Sequence, residues 1–340
     1  MSWTVRRVLD WTREDLERRG IDSARIDSEL LVAAGIGCKR IQLYLDMDRP
    51  LEADELTRIR ERVQRRRERE PIAYILGERE FYGHTFEVTP AVLVPRPDTE
   101  TLVDRALAIL DGETRASGDR EVVLDDAPAP SDVSGESHVE PIEPDEEDAE
   151  ESEEPAVEPA RSPRAKRSSD AEVADLCTGS GCIGLTLAAE RTGLRVTLTD
   201  ASEEALAVAR RNAERLGVAE RTEILAGDLF APLRGRRFDL IAINPPYLSQ
   251  AELAECAPEV ARHEPTMALV AGRRGDEMLE RIARDASAHL EPGGSLLVEV
   301  GHRQAAAFAK RLRTVETLEG VTTHRDLGGI ERVVEARRRA

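Results

Sequence analysis

Lysine is nearly missing from this chain. Only Lys39, Lys166 and Lys310 occur among 48 basic residues, so arginine carries almost all the positive charge. Long apolar runs are missing too. No stretch approaches the roughly 20 residues needed to cross a bilayer as a helix. The amino terminus, MSWTVRRVLDWTRED, is charged throughout and lacks the apolar core of a signal peptide. Cysteines are few, and Cys38, Cys177, Cys182 and Cys256 lack the paired spacing of zinc ligands. These absences argue against a membrane protein and against a zinc site. The expectation is a reduced, cytoplasmic setting with no metal.

A surplus of positive charge is also lacking. The net charge is −19, but it is unevenly placed. Between Asp111 and Asp170 stand 20 acidic and 6 basic residues, a net of −14 that leaves −5 for the rest of the chain. A strong nucleic-acid binder carries a basic excess, so no direct nucleic-acid partner is expected. Residues 111–170 also have no aromatic and few bulky apolar side chains, as in SGESHVEPIEPDEEDAEESEEPAVEPARSPRAKRSS. Such a segment cannot bury enough surface to offset chain entropy and is expected to be disordered.

What is present alternates in a readable way. With 340 residues there is room for two or three domains. Residues 1–75 read as short helices, with Val5, Val8, Leu9 and Leu16, then Leu30, Leu31 and Ala34, then Leu56, Ile59 and Val63 at helical spacing. Polar breaks at 20–23, 35–38 and 46–50 separate them. The run RIRERVQRRRERE is either a solvated helix face or a contact surface for an acidic or RNA-containing partner. Glu80-Phe81-Tyr82, a Gly83-His84 break and Phe86-Glu87-Val88 predict a β-hairpin. RPDTETLVDRALAIL then predicts a helix, with Asp98 and Thr99 as N-cap candidates. From Ala171 onward strands and helices alternate, the pattern of a parallel sheet covered on both faces. VTTHRDLGGIERVVEAR predicts a final strand pair around Gly-Gly.

In an open α/β sheet, ligands bind beyond the carboxyl ends of the strands. The first strand ends in DLCTGSGCIGLTLA, where Gly179, Gly181 and Gly184 fit G-x-G-x-x-G. That loop serves nicotinamide and flavin enzymes as well as others, and it can be a tight turn with no ligand. Asp175 at the same end either accepts from a ligand's ammonium or caps the loop. The second strand ends at Asp200, 21 residues after Gly179, where an acid can accept both hydroxyls of a ribose or cap the helix after Ser202. The third ends in GDLF. Asp228 is placed to receive an adenine amino group, and Leu229 or Phe230 to pack on the base. Together these describe an adenosyl pocket.

The fourth strand, DLIAI, ends in Asn244-Pro245-Pro246-Tyr247. Hydride transfer has no use for such a cluster; methylation of a planar nitrogen does. The lone pair of an amide or arylamine nitrogen is delocalised, and its N–H is too weak an acid for a simple base. The Asn244 side-chain oxygen and the Pro245 carbonyl can each accept one N–H, favouring the charge that develops as a methyl group arrives. The two prolines, restricted in φ, hold the carbonyl in place, and Tyr247 can pack on the planar group.

On these residues the sequence resembles the peptide chain release factor glutamine methyltransferases, the PrmC/HemK family. The likeness runs through ARIDSELLVAAG, LYLDMDRPL and PIAYILGEREFYGHTFEVTPAVLVPRPDTETLVD. It continues through DLCTGSGCIGLTLA, INPPY, HEPTMALVAG, EVG and RDLGGIERVV, leaving out little but residues 111–170. It implies an α/β fold of the class I S-adenosylmethionine-dependent methyltransferases, Rossmann-like with a seven-stranded sheet. A small N-terminal helical bundle (1–75) and a β-hairpin connection (76–94) would precede the methyltransferase domain (95–340), interrupted at 111–170. The implied cofactor is S-adenosylmethionine, held by Cys177, Thr178, Gly179, Ser180, Gly181, Asp200, Asp228, Leu229 and Asn244. Asn244, Pro245, Pro246 and Tyr247 would bind the substrate amide and carry catalysis. The implied substrate is the glutamine of the Gly-Gly-Gln loop in class 1 release factors, bound partly by the helical domain with the basic run at 58–67, and the expected state is a monomer. Cys177 stands where methyltransferase loops often have glycine, and Leu229 where some relatives have tryptophan. Glutamine methylation of a ribosomal protein is the nearer alternative; adenine N6 methylation of DNA or RNA is disfavoured by the charge balance.

Overall fold

The computed structural model describes residues 3–112 and 171–340. The expected disorder at 111–170 therefore lies almost wholly outside the described residues. The first helices are α1 (Val5–Arg18), α2 (Ala24–Ile36), α3 (Arg40–Leu45), α4 (Ala53–Arg67) and α5 (Ile72–Leu76). Their apolar stripes meet in one core built from Val8, Leu16, Leu31, Ile59, Val63 and neighbours. Helices α2 and α4 approach closely at Gly35, where an added Cβ would lie 2.2 Å from Ile59 Cγ1. Arg66 on α4 is buried and donates to Asp27 of α2 at 2.7 Å.

The hairpin follows as β1 (Glu78–Phe81) and β2 (His84–Glu87), with Phe81 paired to His84. Its turn is Tyr82-Gly83, one residue earlier than the expected break. Both residues have positive φ, +51° and +75°, as a two-residue hairpin turn of matching twist requires.

The remaining elements are α6 (Glu100–Leu110), β3 (Glu172–Leu176), α7 (Cys182–Glu190), β4 (Arg195–Asp200), α8 (Glu203–Arg215), β5 (Thr222–Ala226) and β6 (Phe238–Ile243). Then come β7 (Leu248–Ser249), α9 (Gln250–Glu255), α10 (Pro258–His263), α11 (Thr266–Leu269) and β8 (Val270–Gly272). The chain closes with α12 (Glu277–Asp285), β9 (Leu290–Glu299), α13 (Ala305–Arg313), β10 (Leu318–Arg325) and β11 (Glu331–Arg338). A seven-stranded sheet runs in the order β10-β11-β9-β6-β3-β4-β5. The five strands from β9 to β5 are parallel, and β11 runs antiparallel to its neighbours β9 and β10. Successive strand residues serve opposite faces. Val173, Leu240, Ala242 and Leu297 pack in one core with residues of α6 and α7. Ala174, Leu176, Ile241, Ile243 and Leu296 pack in another with residues of α12 and α13.

The order of winding fixes where a ligand belongs. The chain runs outward from β3 to β4 and β5, then returns to place β6 on the other side of β3. The connections after β3 and β6 thus part company at the Leu176–Ile243 pair, opening a crevice at the carboxyl rim.

Candidate active site

A cavity of about 230 Å³ lies at this rim. Cys177, Thr178, Gly179 and Ser180 line it from the loop after β3, Asp200 from β4, Asp228 and Leu229 from the loop after β5, and Asn244 and Pro246 from the end of β6. Four elements distant in sequence thus bring together nine of the twelve site residues expected from the sequence. Gly181, Pro245 and Tyr247 do not line it. Gly181 is the N-cap of α7, at φ +84°, with Leu185 where a Cβ would point. Pro245 is buried, and the Tyr247 carbonyl accepts from Gln304 Nε2 at 2.9 Å.

The loop after β3 is held from below and from the side. Asp175 is fully buried and accepts from Thr178 Oγ1 at 2.6 Å and from the Gly184 amide at 2.9 Å. Of its two expected roles it fills the loop cap; it does not reach the cavity. Burial pushes its carboxyl up to about 7, against the pull of those two hydrogen bonds. Gly184 has no room for a side chain, since a Cβ would meet Leu198 at 2.3 Å and Asp175 at 2.9 Å. Cys177 has φ +57°, the left-handed region where an L side chain costs roughly 1–2 kcal/mol, which is the physical reason glycine is common at such a position. Leu229, at φ +48°, is the second such residue on the cavity wall.

Asp200 accepts from the Gly179 amide through Oδ2 and from the Ser202 amide through Oδ1, each at 2.9 Å. Ser202, not Asp200, caps α8, accepting from the Ala205 amide. Burial raises the Asp200 pKa and the amide hydrogen bonds oppose it. A carboxylate has about four lone-pair sites, so two remain for a ligand's hydroxyls. Asp228 is paired with Arg281 at 2.6 Å. Phe230 turns away from the cavity and stacks on His289, so Leu229 is the one of the pair that faces a ligand.

The remaining wall comes from residues to which no role was assigned from the sequence. Val92, Leu93, Pro95 and Arg96 form one side, and Pro265, Met267 and Ala268 another. Glu264 ties these two segments, accepting from the Val94 amide at 3.3 Å and pairing with Arg96. Tyr74 of α5 donates to the Val92 carbonyl at 2.6 Å, so the helical segment braces the wall. The proline density of TPAVLVPRP was the available signal, since a rigid extended segment between two domains needs a reason. Thr99 stands at the N-cap position of α6, as expected, but makes no side-chain cap bond; its hydroxyl accepts from Asn244 Nδ2 at 3.3 Å.

The charged lining consists of Asp200, Glu204 and Asp228 against Arg96. Such a surface repels a pyrophosphate and suits a cation. With an acid for a ribose, an apolar wall for a base and a glycine loop at the start of α7, the residues fit S-adenosylmethionine and do not fit a dinucleotide.

Residues 7–77 match the family model described as PrmC N-terminal domain, and residues 163–263 that of the methyltransferase small domain. The release factor glutamine methyltransferase of Geobacter sulfurreducens is 37% identical over 335 residues, covering 98% of this chain and 97% of that protein. The chain belongs to the release factor glutamine methyltransferase family. The family protein of Nitratidesulfovibrio vulgaris is 35% identical over 98% of this chain and 95% of its own length. That of Chlorobaculum tepidum is 37% identical over 91% and 89%. As a family member the chain is a methyltransferase that uses S-adenosylmethionine, on the seven-stranded α/β fold described above. Among the described residues, no helix is long and apolar enough to cross a membrane.

The arginines of α4 take a different place from the one their sequence run invites. Arg58 pairs with Asp54 and donates to the Gly35 carbonyl, Arg65 pairs with Glu70, and Arg67 pairs with Asp15. Arg66 reaches both Asp27 and Glu259. Much of this charge is engaged within the described structure, much of it in holding the bundle to itself and to α10.

Proposed function

We propose that this chain methylates the side-chain amide nitrogen of the glutamine in the Gly-Gly-Gln motif of class 1 peptide chain release factors. The observation that carries the reading is Asn244 at the switch-point cavity, on the rigid Pro-Pro corner that ends β6. The curated relatives named for this activity support the choice of substrate. The helical bundle (1–75) serves substrate recognition, the hairpin segment (76–94) connects it, and the rest of the chain carries methyl transfer.

S-adenosylmethionine, when bound, supplies an electrophilic methyl group on a sulfonium. Asp200 would hold the ribose hydroxyls, the loop from Cys177 to Gly181 the amino acid portion, and Leu229 with Asp228 the base. Asn244 Oδ1 and the Pro245 carbonyl each accept one N–H of the substrate amide. That pair would orient the nitrogen toward the methyl and stabilise the positive charge it gains. As the N–C bond forms the S–C bond breaks, the sulfonium leaves as a neutral thioether, and the extra N–H proton passes to water. Buried Pro245 and Pro246 keep the acceptors fixed. Tyr247 closes the substrate side. Burial pushes its phenol up to about 12, so it stays neutral and acts by packing, not as a base.

The test is transfer of a labelled methyl group from S-adenosylmethionine to a purified release factor. Labelling is expected with the native Gly-Gly-Gln loop and absent when its glutamine is changed to alanine. Labelling that persists in that variant, or that goes instead to ribosomal protein or DNA, overturns the proposal. Asn244→Ala is expected to change cofactor affinity little beside its loss of turnover, about two to three orders of magnitude, the cost of one aimed donor or acceptor.

A further inference from the structure

Behind Asn244 lies a buried acid that the scheme above does not use. Glu299, the last residue of β9, is 2% exposed, and its Oε2 has no hydrogen-bond partner among the described residues. Thr99 and Asn244 are the neighbouring side chains that favour its charged form. Asn244 Nδ2 also donates to Thr99 Oγ1 at 3.3 Å. The three side chains therefore form one chain leading from the cavity wall to a buried acid.

An amide side chain can present either its oxygen or its nitrogen, and the two differ little in shape. Only the oxygen can accept a substrate N–H. A carboxylate has no proton to give, so Thr99 must donate to it, and the Thr99 lone pairs are left to accept. Asn244 can satisfy that site only with Nδ2, which leaves Oδ1 for the cavity. We propose that Glu299 is a positioning residue: acting through Thr99, it locks the Asn244 amide with its nitrogen inward and its oxygen toward the substrate. This rests on the reading of Asn244 as acceptor for the substrate amide.

Protonation reverses the logic. A neutral Glu299 can donate to Thr99, Thr99 can then donate to Asn244 Oδ1, and the amide is free to turn over. Burial pushes Glu299 up to about 7, with Asp98 adding to the rise and Thr99, Arg332 and Asn244 opposing it. The other titratable groups coupled to it, Tyr247 and Cys182, are each pushed to about 12 and do not titrate with it. Burial also pushes Asp175 up to about 7, but it sits under the cofactor loop and does not line the cavity. Its protonation belongs to cofactor affinity, while that of Glu299 belongs to turnover.

The experiment measures kcat, and KM for cofactor and for release factor, across neutral pH for the full-length wild type, Glu299→Gln, Thr99→Ser, Thr99→Val and Asn244→Ala. Wild-type kcat is expected to fall on the acid side of about 7. In Glu299→Gln, which can donate as well as accept, kcat is expected to drop on the order of 10²-fold, with cofactor KM unchanged and the acid limb gone. Thr99→Ser should retain turnover and the limb; Thr99→Val should behave as Glu299→Gln. Wild-type kcat with an intact acid limb in Glu299→Gln overturns the inference while leaving the amide clamp standing. Should Glu299→Gln fail to fold, a Thr99→Val enzyme with wild-type kcat overturns it equally. Full turnover in Asn244→Ala instead removes the reading on which it rests.

Discussion

Replacing Arg66 with alanine tests how the helical bundle is fastened to the rest of the molecule. The Arg66 side chain is 6% exposed and the Asp27 side chain 3%. Arg66 donates from Nε to Asp27 at 2.7 Å, and from Nη1 to Glu259 of α10 at 2.9 Å and to the Glu70 carbonyl at 3.3 Å. Without it, Glu259 keeps Arg69 at 3.2 Å, but Asp27 keeps only the Ser23 hydroxyl at 2.8 Å. A carboxylate left buried without its counter-charge costs about 3–5 kcal/mol. In a chain of this size that lowers the melting temperature by about 4–9 °C. Changing Asp27 to asparagine in the same molecule removes the stranded charge and should restore about 1–3 kcal/mol. Thermal and denaturant unfolding of the single and double variants gives both numbers. A loss below about 1 kcal/mol, the level of an exposed ion pair, would refute the reasoning.

Three further outcomes follow from separate features. Gly35→Ala places a methyl 2.2 Å from Ile59 Cγ1 and 3.2 Å from the Ile59 backbone, so α2 and α4 must separate; about 1–3 kcal/mol should be lost in the same unfolding assays. Asp200→Asn weakens the acceptor proposed for the ribose and should raise the cofactor dissociation constant by about 10–100-fold in calorimetry, with a smaller effect on kcat at saturation. Glu335 is half-buried, and against that burial hydrogen bonds from His324 and Arg105 and their charges hold it down at about 2. A folded value below the unfolded 4.5 means stability present above 4.5 and lost as pH falls toward 2. Arg105→Ala should make that acid limb shallower, read from denaturant midpoints at several pH values.

The sequence was most legible where structure is local. Helical breaks, the strand alternation and the acids at strand ends follow from periodicity and from residues within a turn of one another. The end of β6 was legible for the same reason, since Asn244 to Tyr247 are contiguous. What escaped depends on partners from far along the chain. Thr99 looked like a helix cap because its neighbours are helical, yet its partner is Asn244, 145 residues away. The arginines of α4 looked like a free basic face because Asp15, Asp27 and Glu259 are not on α4. Phe230 and Leu229 are adjacent and both apolar. Only the φ of +48° at Leu229 and the stacking of Phe230 on His289 separate wall from core.

The hydroxyl of Tyr74 on the Val92 carbonyl has a consequence for any attempt to cut the molecule into working parts. Ala73 and Tyr74 share a small core with Val88, Val92, Val94, Ala205 and Val208, so the last helix of the bundle and the cofactor wall pack as one body. A fragment that starts at the hairpin would lose the post against which the wall rests. Its failure to bind cofactor would say nothing about where the substrate docks. The same brace makes the two ligands partners in a thermodynamic cycle. Whatever factor a docked protein adds to cofactor affinity by pressing on this helix, the cofactor must return to the docked protein in full.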